Sequence, residues 1–194
     1  VIPSAIGSLS VPVMTEFYTE RKFDKMKKIY SATTKWILAL TFPAFLLMSL
    51  FSTTGMRILF KPEFISDKTS LIGLTMPSTA WALSILAFGY LVFSATGISR
   101  QIIQSTTETK YSLLIGAIVG ITNLLLNIIL IPMIGIAGAA IATAASWVLG
   151  AILSISIVIK IVGIQPFKLS IIKIVLSSFL SAIIVYSITK YFYT

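Results

Sequence analysis

The sequence contains no cysteine and no histidine. Disulfides, thiol nucleophiles, thiolate metal sites and imidazole bases are excluded together, and most of the enzyme repertoire goes with them. Charge is scarce as well: 11% of the 194 residues are charged, where a soluble domain carries roughly 25%. Hydrophobic residues make up 57% and the mean hydropathy is +0.99, the composition of an integral membrane protein. The six Asp and Glu all fall in polar segments, so these residues hold no proton relay built on membrane-buried acids. The net charge of +9 does not mark a nucleic-acid partner, because the cations sit between apolar runs and are not gathered on one face.

What is present is a series of apolar runs of crossing length. From Tyr111 to Ile159 no charged residue occurs. As one helix that run would measure about 73 Å against a hydrocarbon core of ~30 Å, so it reads as a membrane hairpin turning in the glycine-rich stretch after Pro132. Its arms are expected over 112–131 and 138–159. Before it, residues 1–14 read as the truncated tail of a span, lacking the basic region and small-residue cleavage site of a signal peptide. Residues 16–35 are basic, with Phe23, Met26 and Tyr30 at the spacing of an apolar stripe on a helix lying in the membrane interface. Spans are expected over 36–56, kinked by Pro43, and over 71–99, interrupted by Gly73, Pro77, Gly89 and Gly97 and able to continue as helix to Gln104. A last span is expected over 169–189, with aromatics at its far end.

Lys and Arg divide unevenly between alternate connections. Eleven fall in 15–35, 100–110 and 160–173, and four in 57–68 and the C-terminal tail. By the positive-inside rule the first group is cytoplasmic and the hairpin turn faces outward.

Few residues are candidates for chemistry. Arg100, near the end of its span with Gln101 beside it and Gln104 one turn on, is either an anchor for lipid phosphates or a cavity-lining cation for an anionic lipid-linked substrate. Asn123 and Asn127 share one face of the hairpin's first arm, suited to interhelical hydrogen bonds or to substrate contact. Gly116/Gly120, Gly138/Ala142, Ala139/Thr143 and Ala140/Ala144 are small-residue pairs that let helices approach closely. No catalytic residue, metal site or cofactor is expected.

The stretch LLNIILIPMIGIAGAAIATAAS resembles the signature hairpin of the polysaccharide biosynthesis flippases, the O-antigen and exopolysaccharide transporters of the multidrug/oligosaccharidyl-lipid/polysaccharide superfamily. VPVMTEFYTERKFDKMKKIYSATTKWILALTFPAFLLM is similar to their span, basic loop and Pro-containing next span. QSTTETKYSLLIGAI stands where they usually carry a Gly-Arg/Lys turn. The resemblance implies an all-α polytopic membrane protein: a helical bundle forming one lobe, about six spans, of a two-lobe MATE-like transporter. It implies that 1–194 is the C-terminal lobe, acting with an N-terminal lobe missing from this sequence. It further implies alternating-access transport of a pyrophosphate-linked oligosaccharide lipid across the plasma membrane, with membrane lipids as the surroundings and no enzymatic activity. Two other readings stay open: a multidrug or cation-coupled antiporter of the same superfamily, and a membrane subunit of a polysaccharide synthase or polymerase. The first calls for a buried acid and the second for acidic or His residues at a lipid-facing site.

Overall fold

The computed structural model describes residues 12–59, 68–71, 74–106, 109–164, 176–178 and 180. Among them the chain is helical apart from one two-stranded ribbon. A helical stretch over 12–19 precedes α1 (Phe23–Leu50), α2 (Ser52–Leu59), β1 (Lys68–Leu71), β2 (Leu74–Pro77), α3 (Ser78–Ala95), α4 (Gly97–Ser105) and α5 (Thr109–Val162). Three stretches are long and apolar enough to cross a membrane: Phe23–Leu50, Ser78–Ser105 and Lys110–Val162. The spans expected over 1–14 and 169–189 lie outside the described residues, except for 12–14, 176–178 and 180.

The first helical stretch ends in an elbow. Arg21 takes the left-handed position (φ 55°) usually given to glycine, and the Lys22 amide reaches back to the Phe17 carbonyl at 2.8 Å. Lys22 Nζ lies 2.5 Å from a Glu20 carboxylate oxygen, and that hydrogen bond raises the ammonium pKa above the ordinary lysine value. From Phe23 the chain is continuous helix through Pro43 to Leu50. The stripe expected in the membrane interface is therefore part of α1. Met26 and Tyr30 are fully buried against Ile98 and Ile102, and only Phe23 stays partly open. Burial against a neighbouring helix removes the same apolar area from water that the interface would, and it adds tight packing.

The third span begins at Ser78, later than the start near Leu71 expected from hydropathy. Leu71 and Leu74–Pro77 pair in the antiparallel ribbon, Leu71 opposite Leu74 and Lys68 opposite Pro77. Pro77 is the cause, because its ring disfavours helix in the residue before it while its fixed φ (−52°) suits the entry to one.

α5 is two arms folded on each other. Its helical geometry fails at Ile134 (φ −137°, ψ 19°) and Gly135 (φ 59°, ψ −136°), two residues beyond Pro132. Only glycine takes the Gly135 conformation without strain. The arms then meet in register. Gly138 lies on the Leu130 carbonyl so closely that a Cβ there would overlap it, and a Cβ at Gly150 would stand 2.9 Å from Val119 Cγ2. On the second arm Ala137, Ala140, Ala144, Ala151, Ser154 and Val158 are buried at alternating three- and four-residue spacing, a helix-packing seam. α3 crosses this seam at Gly89, where a Cβ would stand 2.9 Å from both Ala144 Cα and Cβ. Gly116 and Gly120, by contrast, meet nothing within 4 Å of a built Cβ, so this small-residue pair packs no helix among the described residues. Hydroxyls in the spans bond back to the preceding turn: Ser146 to the Ala142 carbonyl, Ser154 to Gly150 and Thr143 to Ala139. Polar groups at membrane depth must be satisfied internally in this way.

Candidate functional site

The site is built on the break between α3 and α4. Thr96 leaves helical geometry (φ −101°, ψ 5°), and its hydroxyl is shared between the carbonyls of Val92 (3.0 Å) and Phe93 (3.3 Å). One turn on, Arg100 folds back over the break. Its Nη2 donates to the Phe93 carbonyl at 2.7 Å, its Nη1 to Thr96 Oγ1 at 3.4 Å, and the guanidinium lies 3.9 Å from the centre of the Phe93 ring. A cation over the last carbonyls of a helix is electrostatically favoured, and the ring face adds a cation–π contact. Two of the guanidinium's five N–H donors are thus engaged.

Two cavities meet at this residue. One, of about 280 Å³, lies between α4 and the arms of α5 and is lined by Ile103, Ile115, Val119 and Trp147. The other, of about 310 Å³, lies between α1 and the α3–α4 break and carries Ser94, Gln101 and Gln104. Arg100 and Phe93 border both. The Gln101 Oε1 is buried without a hydrogen-bond partner, whereas Gln104 is exposed. The wall is held from behind by a buried hydrogen bond of 2.5 Å between the Tyr30 and Ser99 hydroxyls, which ties α1 to α4.

The structure thus brings Arg100, Gln101 and Gln104 to one place and sets Asn123 and Asn127 apart, on the wall of neither cavity. The two asparagines bond to each other, Asn127 Nδ2 donating to Asn123 Oδ1 at 3.0 Å, and Asn123 Nδ2 reaches Thr143 Oγ1 on the other arm at 3.4 Å. Asn127 Oδ1 is buried with no partner among the described residues. No group of three or more His, Cys, Asp or Glu among the described residues could hold a metal. The neutral oxygens of Asn123, Asn127 and Thr143 are instead ligands of the kind a small, hard monovalent cation accepts. The sequence reading had taken Thr143 only for its size, and it had not singled out Phe93 or Trp147 at all. The signal for Phe93 was its place two helical turns before Arg100, on the same face.

The family described as lipid II flippase MurJ matches residues 1–194. A probable flippase AglR from Haloferax volcanii is 27% identical over 191 residues, covering 98% of this chain and 38% of that protein. An uncharacterized membrane protein of Methanocaldococcus jannaschii is 29% identical over 144 residues, covering 72% of this chain and 25% of that protein. The chain therefore spans between a quarter and two-fifths of the curated relatives it matches. Among solved structures, lipid II flippase MurJ in an inward closed conformation superposes with a TM-score of 0.70 at 20% identity, over 95% of this chain and 38% of that one. At that identity the likeness speaks for the fold, and it bears out the expected helical lobe of a MATE-like transporter. The expected superfamily is met through a family named for lipid II, not through an O-antigen branch.

Proposed function

This chain belongs to the lipid II flippase MurJ family, and we propose that it is the C-terminal lobe of a flippase carrying a lipid-linked, pyrophosphate-bearing saccharide across the plasma membrane. The observation that carries the reading is Arg100: a half-buried guanidinium within a helix of crossing length, open to two cavities, with Gln101 and Gln104 beside it. A pyrophosphate brings several negative charges into a place of low dielectric, and a planar guanidinium meets them with paired donors where an ammonium offers a point charge. Alternating access requires two repeats rocking about a shared site, so the proposal includes a second lobe of the same protein. The partial coverage of the relatives supports that part. The basic segments 15–35, 100–110 and 160–173 are proposed to be cytoplasmic, which sets the Arg100 end of α4 toward the side where the cations gather.

The test is transport of a fluorescent lipid-linked pyrophosphate by the full-length protein in proteoliposomes. Arg100→Lys is expected to impair transport almost as much as Arg100→Ala, with insertion unchanged. Full activity of Arg100→Lys would take Arg100 out of the substrate site.

Cation coupling is a second reading, favoured by the unpartnered Asn127 oxygen beside Asn123 and Thr143. It needs no buried acid, because neutral amide and hydroxyl oxygens suffice for a monovalent ion. It adds an energy source to the same transport and does not replace it.

A further inference from the structure

Arg100 borders two cavities of opposite character. The first is walled by Ile103, Ile115, Val119 and Trp147, and the second by amides and a serine hydroxyl. We propose that they are the two halves of one site for a single-chain phosphorylated amphiphile. A hydrocarbon segment lies in the first cavity, the phosphate rests on Arg100, and the polar headgroup faces Gln101 and Gln104. This deepens the flippase reading above and rests on it.

The Phe93 ring and carbonyl hold the guanidinium in place, and three of its N–H donors are uncommitted, so an anion meets a preorganised partner with little ordering cost. A cavity lined by Ile, Val and Trp side chains is the kind that stays dry and accepts hydrocarbon. Its volume of about 280 Å³ suits a segment of one chain and is too small for a pair of acyl chains side by side. Gly116 and Gly150 also line it, and the missing side chains are what open the wall. On the other side the buried Gln101 Oε1 is an acceptor without a donor, a cost that a headgroup hydroxyl would offset.

Trp147 reports on the chain half directly. The full-length protein in phosphatidylcholine vesicles is titrated with an alkyl pyrophosphate brominated at mid-chain, and the Trp147 signal is isolated by difference against Trp147→Phe. Quenching of that component is expected, with half-saturation raised at least tenfold by Arg100→Gln. Gly116→Leu, which projects a side chain into the cavity from a position with no neighbour within 4 Å, is expected to abolish it. Calorimetric binding of inorganic pyrophosphate should survive Gly116→Leu and be lost in Arg100→Gln. Moving the bromine next to the pyrophosphate, which requires no variant, should weaken the quenching. Equal quenching by a brominated two-chain phosphatidic acid overturns the single-chain assignment in favour of a bilayer lipid. Pyrophosphate binding at Arg100 with Trp147 unquenched overturns the chain half and leaves the flippase reading standing. That reading falls separately, on the transport of Arg100→Lys.

Discussion

Gly89→Ala tests the tightest helix crossing in the chain. The added methyl would lie 2.9 Å from both Ala144 Cα and Cβ and 3.0 Å from Trp147 Cε3. Two of those atoms belong to a packed arm of α5 and one to its backbone, so relief requires α3 to move away from the seam. Overpacking of this kind costs typically about 1–3 kcal/mol. In water a helical Gly→Ala change would recover nearly 1 kcal/mol of propensity, but helices separated within a membrane stay helical, so that gain largely cancels. Gly116→Ala is the internal control, since its methyl meets nothing within 4 Å. The expected result is a Tm in detergent lower for Gly89→Ala than for Gly116→Ala by roughly 2–4 °C per kcal/mol of clash. Adding Ala144→Gly to Gly89→Ala should restore only part of the loss, because the Ala144 Cα is as close as its Cβ. Equal stability of Gly89→Ala and Gly116→Ala would refute the contact.

Tyr30→Phe should cost about 0.5–1.5 kcal/mol, and a double-mutant cycle with Ser99→Ala should be strongly non-additive, because the two hydroxyls are each other's buried partners. Arg21→Gly should stabilise the elbow by roughly 1 kcal/mol or less in thermal unfolding, since it relieves a left-handed Arg while adding glycine's entropy to the unfolded chain. If the Asn123–Asn127–Thr143 cluster couples transport to a cation, replacing Na⁺ by choline should slow wild-type transport and leave the residual rate of Asn127→Ala unchanged; equal Na⁺ dependence in both would remove the cluster from coupling. For orientation, single cysteines at Lys110 and Met133, both exposed, should be labelled from opposite sides, Met133 alone reacting with an impermeant thiol reagent on intact cells. Ser105 is a poorer probe of the same segment, being buried and bonded to the Ile102 carbonyl.

The sequence alone determined the class of protein and the places where the chain turns. Uncharged runs of crossing length declare themselves through composition, and the reversal after Pro132 through a glycine that can take a positive φ at Gly135. Arg100, Gln101 and Gln104 could be singled out as one group because they are neighbours on one helix, and local spacing suffices for that. Which faces meet was decided only by the tertiary structure. Gly116/Gly120 and Gly89 look alike as sequence, yet the first pair is open and the last is pressed against Ala144. The stripe of Met26 and Tyr30 has the pattern of an interfacial helix, but its partner is Ser99 and the isoleucines around it, 69 residues along the chain in the case of Tyr30 and Ser99. Likewise nothing local announces that the carbonyl engaging Arg100 is that of Phe93 or that Trp147 would wall the same cavity. Hydropathy and helical periodicity record what one helix presents, and packing is settled by pairs of surfaces from distant parts of the chain, where a single Cβ separates contact from overlap.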